Sequence, residues 1–292
     1  MAAILALAAA LLQPVTAPVP PAPDADIIVQ GVRPSPHQLR DFVRALTQVP
    51  SYGQIGRFHD KVCPVAMGLA DSQNARITAR MRQVATAAAI PLDGTGCIPN
   101  AFVIVAPDKA AAIRDLNRRF PVYFTAMSDR EISELARSPE PVAAWQILGL
   151  LTADGEEAAK TIGADYYTVR SVNTPSRIRA ASKPTFRATV VVIDVKAATG
   201  LTVTQLADYA AMRTFADIEP ARIAKVGVPS ILGAVGAPDS KPVPVTLTHW
   251  DLAFLTSLYA TDNSYLATYQ RGDMEQVIKR NVEQTAPGAP PR

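Results

Sequence analysis

His249 stands two residues before Asp251 in Thr248-His-Trp-Asp251, and an imidazole beside a carboxylate is the raw material of a general base. The same four residues also read as a helix-capping box, which would make His249 a structural residue at a helix start. Asp194 ends the run Arg187-Ala-Thr-Val-Val-Val-Ile-Asp194, placing a carboxylate at the end of a buried strand. Asp208 and Tyr209 fall in the middle of a helical pattern. Each acid is either a site residue or a hydrogen-bonded structural carboxylate, and a pair of catalytic carboxylates needs no fixed spacing. Enzyme chemistry would require Asp194, Asp208, His249 or Asp251 to meet in one cleft.

Other chemistries lack their residues. Ser230 lies in Val-Pro-Ser-Ile-Leu, without the small flanks of a nucleophile elbow. No phosphate-cradling glycine loop precedes a helix, since Gly94-Thr-Gly96 is a turn leading to Cys97. His37, His59 and His249 have no metal-ligand spacing, so neither a metal nor a cofactor is expected. Cys63 and Cys97 read as a disulfide closing a loop of about 35 residues, worth about 4 kcal/mol by the chain-entropy relation. Two buried thiols are the alternative.

The elements that must position these residues begin after residue 36. The apolar run 2–12 has the length of a signal-peptide core, far short of a membrane span, so 1–25 reads as signal peptide and the start of a linker. Residues 26–36 continue as a proline-rich linker. An α/β half follows over 37–120. Residues 121–284 form a second half of the same domain or a second small domain, and 285–292 form a disordered tail. No later segment is long and apolar enough to span a bilayer, so no integral membrane segment is expected in the mature chain. The net charge is +3 with no basic stripe, which argues against nucleic acid as a partner.

Within the first half, helices are expected from Pro36 (with Ser35 as cap), from Asp71 or Ser72, and over 108–117, with strands over 54–69 and at 102–106. In the second half, Ser128 and Glu131 form a capping box, and 143–151 reads as a strand with a helix as its competitor. Residues 152–184 form an excursion or hairpin, and 187–195 a strand buried on both faces. Thr202 or Thr204 caps a helix through Phe215. Further helices follow from Thr248 and from Asn263 or Ser264. The fold class is α+β or α/β, a mixed sheet packed by helices.

Cys63-Pro-Val-Ala-Met-Gly-Leu69, Gly96-Cys-Ile-Pro-Asn100, Leu206-Ala-Asp-Tyr-Ala-Ala-Met212 and the stretch Leu247 to Tyr259 resemble a group of uncharacterised exported proteins of alphaproteobacteria, especially sphingomonads. That resemblance implies an address, periplasmic or secreted, and no activity. Asp26-Ile-Ile-Val-Gln-Gly31 is similar to the energy-coupling box of TonB-dependent receptors, though no barrel pattern follows. The order of buried strand, helix and later turn also resembles zincin-type metallopeptidases. Their helix carries His-Glu-x-x-His, two imidazoles four apart on one zinc, and residues 205–212 hold no histidine.

The expected function is therefore that of an exported cell-envelope protein, a non-enzymatic binder of an unknown protein or small-molecule ligand. The alternative is an envelope-acting hydrolase, on a degenerate zincin-like fold or through carboxylates. Purified without chelator, the chain is expected to carry substoichiometric zinc. One zinc per chain by elemental analysis would restore the peptidase reading.

Overall fold

The computed structural model describes residues 35–47, 49, 53–160, 167–170, 172, 175–237 and 242–284, with backbone alone for 160 and 282–284. The signal-like run, the linker with its energy-coupling string up to residue 34, residues 238–241 and the 285–292 tail lie outside the described residues.

Ser35 caps α1 (Pro36–Leu46), its hydroxyl accepting from the Gln38 N–H while the Gln38 side chain accepts from the Ser35 N–H. Leu39, Phe42, Val43 and Leu46 bury one face. The long strand expected over 54–69 is shorter than its composition suggests. Only β1 (Pro64–Met67) is regular, preceded by isolated bridges at Arg57 and Val62. Neither Asp71 nor Ser72 caps α2 (Asp71–Ala87). Ala70 takes the cap position without a side-chain bond, and Asp71 lies in the first turn, where its charge favours the helix dipole. β2 (Ala101–Ala106) and α3 (Lys109–Arg119) follow, the latter capped by Asp108. α4 (Asp129–Arg137) has the expected Ser128–Glu131 box.

β3 (Val142–Thr152) is a strand, and the competing helix around Trp145 is not formed. The 152–184 excursion holds a short hairpin of β4 (Ala159–Lys160) and β5 (Tyr167–Thr168). β6 (Ser182–Asp194) starts earlier than its valine run suggests. Thr202, rather than Thr204, caps α5 (Val203–Phe215), and Gln205 completes a capping box. α6 (Pro220–Ile223), α7 (His249–Ala260) and α8 (Ala267–Gln284) complete the chain. The last helix starts after Asn263 and Ser264, because the Asp262 carboxylate accepts from the Ser264 N–H and holds a turn there.

The strands order as β1-β2-β6-β3 in one mixed sheet. β1, β2 and β6 run parallel, with Ala66 opposite Val103 and Val103 opposite Val191. β3 is antiparallel at the edge, with Trp145 opposite Val190 and an irregularity between Ile147 and Leu148. Alternation along β6 sends Val191 and Ile193 into a core with α1, α2, α5, α7 and α8, and Val190 and Val192 into a second core with α3 and α4. Helices on both faces make this an α/β-type mixed sheet. Gly68, at φ +100°, closes β1 so tightly against β2 that a Cβ would drive into the Val105 carbonyl oxygen.

Cys63 and Cys97 form a disulfide, with Cα atoms 6.0 Å apart. The Asn100 side chain accepts from the Cys63 N–H at 2.8 Å, so the bridge ties the chain before β1 to the chain before β2. Among the described residues no helix is long and apolar enough to cross a membrane. Non-reducing mass analysis after alkylation should find no free thiol. Reduction should lower stability by about 2–4 kcal/mol in urea titrations; an unchanged midpoint would make the cross-link incidental.

Candidate functional site

α5 follows the central strand, and its apolar sequence buries it almost all round, from Gln205 to Phe215. A carboxylate in such a helix must be neutralised or hydrogen-bonded. Asp208, fully buried, meets both requirements. Arg80 of α2 donates to it through Nε at 2.7 Å and Nη2 at 3.3 Å. The Thr246 hydroxyl and the Leu247 N–H each donate at 2.7 Å. Arg80 also reaches the Thr246 hydroxyl at 2.8 Å. The group joins α2, α5 and the 246–247 segment, and every oxygen of Asp208 is engaged.

Asp251 is bound in the same way. The Ser230 hydroxyl donates at 2.6 Å, the Ile231 N–H at 2.9 Å, and Thr248 through its N–H at 3.0 Å and its hydroxyl at 2.8 Å. Burial raises the Asp251 carboxyl pKa against the pull of these donors. Ser230, which the sequence discounts as a nucleophile, is thus the partner that fastens the 231–233 turn to α7. His249 is the first residue of α7, half-buried, and burial pushes its pKa down. Asp194 caps the short 195–198 turn through the Lys196 N–H at 3.0 Å. None of the described hydrogen bonds joins Asp194, Asp208, Tyr209, His249 and Asp251 to one another, and Asp194 and Tyr209 line two different clefts.

Tyr209 faces the other way from its neighbour. It and Arg213, one turn further along α5, open on a cleft of about 400 Å³. The walls are Val142 and Ala144 of edge strand β3, Leu232 and Val235 of the turn after Ser230, and Ile218 after α5. Val142 and Ala144 reach it because strand alternation turns them to the α5 side, while Ala143 and Trp145 enter the opposite core. Glu140, Asp217 and Glu219 stand at its margin, and among the described residues no serine, threonine, cysteine or histidine lines it. Burial raises the Tyr209 phenol pKa, so it stays protonated. Crowding on the cleft side also raises the Asp217 carboxyl, against the attraction of Arg213, although much of the residue is exposed.

Arg213, Glu140, Asp217 and Glu219 are the residues that sequence reading missed. One signal was present: Arg213 is the lone cation in Ala-Ala-Met-Arg-Thr-Phe-Ala, and it stands four residues from Tyr209. Among the described residues, no three of His, Cys, Asp and Glu converge closely enough to hold a metal ion.

Asp208→Ala would leave the partly buried Arg80 without its carboxylate and should cost about 3 kcal/mol by chemical denaturation. A loss below about 1 kcal/mol would show that the carboxylate is not structural and reopen it as a site residue.

Comparison with protein-family models, with curated proteins and with solved structures finds no match to this chain.

Proposed function

We propose that the chain is an exported protein of the cell envelope that binds its ligand without turning it over, and that the cleft between β3 and α5 is where it binds. The observation that carries this reading is how its acids are used. Asp208 and Asp251 are saturated by structural hydrogen bonds, and among the described residues the cleft is lined by no serine, cysteine or histidine. The cleft's volume is in the ordinary range for small-molecule sites. The disulfide fits an oxidising compartment, periplasmic or extracellular.

The order of buried strand β6, helix α5 and the later turn after Ser230 resembles that of zincin-type metallopeptidases, and α5 turns one face to the cleft. The residues four apart on that face are Tyr209 and Arg213. A guanidinium has no lone pair to offer a metal, so the residues present do not fit a zinc ion. The same helix face serves recognition instead.

The test uses the full chain exported from a Gram-negative host. The protein is expected in the periplasmic or secreted fraction, with a bound small molecule in native mass spectra. Ala144→Trp, which fills the cleft from β3, should remove that adduct at a cost of about 1–3 kcal/mol in stability, leaving the chain folded. No turnover of peptide, ester or peptidoglycan substrates is expected. Turnover by the wild type that Ala144→Trp abolishes would establish the hydrolase instead.

A further inference from the structure

Resting on the reading of the β3–α5 cleft as the ligand site, its charges define the ligand. Arg213 is nine-tenths buried. Its only described hydrogen bond runs from Nη1 to the Tyr209 hydroxyl at 3.3 Å, and its Nε is buried with no partner. Among the described residues it belongs to no ion pair.

The other inward arginines differ. Arg80 makes a two-pronged pair with Asp208. Arg271 is tied by three bonds to Thr47 and Val49. Arg57, whose Nε is also buried without a partner, donates to the Thr261 carbonyl and lies over the Tyr259 ring. Arg213 combines an open fork with a place on the wall of the cleft. A planar guanidinium presented in this way matches a carboxylate. The Tyr209 hydroxyl accepts from Arg213 and keeps its own proton to donate.

A simple anion would not satisfy the rest of the cleft. Among the described residues Glu140 and Asp217 make no close ion pair, although Asp217 feels the charge of Arg213 and Glu140 acts on the Tyr209 end, whereas Glu219 is held by Arg222 at 3.0 Å. Carboxylates beside the guanidinium oppose a doubly charged phosphate and suit a ligand that also carries a positive group. The remaining walls are aliphatic.

We propose that the cleft takes a small zwitterion, an amino acid or short peptide, with its carboxylate on the Arg213 guanidinium and Tyr209 hydroxyl and its ammonium toward Glu140 and Asp217. The ligand is bound at both ends by charge and along its length by Ala144, Leu232 and Val235.

The experiment is NMR titration of the full mature chain with dialanine, N-acetyl-dialanine, dialanine amide and inorganic phosphate, observing backbone amides and arginine Nε–H groups. Dialanine is expected to shift Arg213 and the cleft residues. Removing either charge should weaken binding about tenfold or more. Arg213→Gln should abolish it, and Tyr209→Phe should weaken it about fivefold. The ligand series on the wild type stands even if Arg213→Gln fails to fold.

A second basic surface serves as the internal control, where Arg40, Arg44, Arg222 and Arg271 surround a separate pocket. Binding that survives Arg213→Gln and is lost in an Arg40→Gln, Arg44→Gln double variant would overturn the proposal. Dialanine amide or phosphate shifting the cleft as strongly as dialanine would overturn the zwitterion but keep the cleft as a binding site. Cleft resonances unmoved by every probe would remove both.

Discussion

β6 is buried on both faces, and the remaining elements are arranged around that requirement. A strand of alternating pleat can hide Val190, Val191, Val192 and Ile193 together only if a helical layer lies on each side. α3 and α4 cover one face, and α2 and α5 the other. Each of these side chains contributes roughly 1.5–3 kcal/mol on burial, so neither layer can be removed cheaply. With β2 along one edge of β6 and antiparallel β3 along the other, the sheet's outer margin falls beside α5. The cleft is the space that this margin leaves.

α5 turns one polar group into the core and another toward the cleft. Asp208 and Tyr209 are adjacent in sequence, so a helix turns them about 100° apart. The first faces α2 and is locked by Arg80, Thr246 and Leu247. The second faces the cleft with Arg213. The lock holds the helix from behind, and Asp251 holds the far wall through Ser230 and Ile231. Polar groups that look like reagents in the sequence are the fasteners of the cleft's walls. A ligand would meet groups already in position, with little ordering cost left to bind.

Locally encoded features were legible in the sequence. The Ser128–Glu131 and Thr248–Asp251 boxes act within one turn and appear where the residues put them. The disulfide and the two-faced β6 follow from residue type alone. Features decided by distant partners were not. The strand expected over 54–69 shrinks to four residues because ladder partners exist only at 101–104. Asp208 stays undecided between site residue and structural carboxylate until Arg80, 128 residues away, arrives beside it. Arg213 reads as one more helical cation, because nothing near it in sequence announces that β3 will leave it facing a cavity.

β3 is an edge strand, and an open edge is a template on which a second chain can grow a ladder. Several local features shorten that template. The irregularity at Ile147 and Leu148 breaks its regularity. Beyond it the chain doubles back after Gly155, and Leu150 and Thr152 bond with Ala158 and Glu156. Arg187 packs over Gly149 from the neighbouring strand. Only the first half of β3, beside the cleft, keeps free main-chain groups. That stretch is the most buried part of β3 and lies beside α5 and the 218–236 segment, so the uncovered length of edge is both short and recessed.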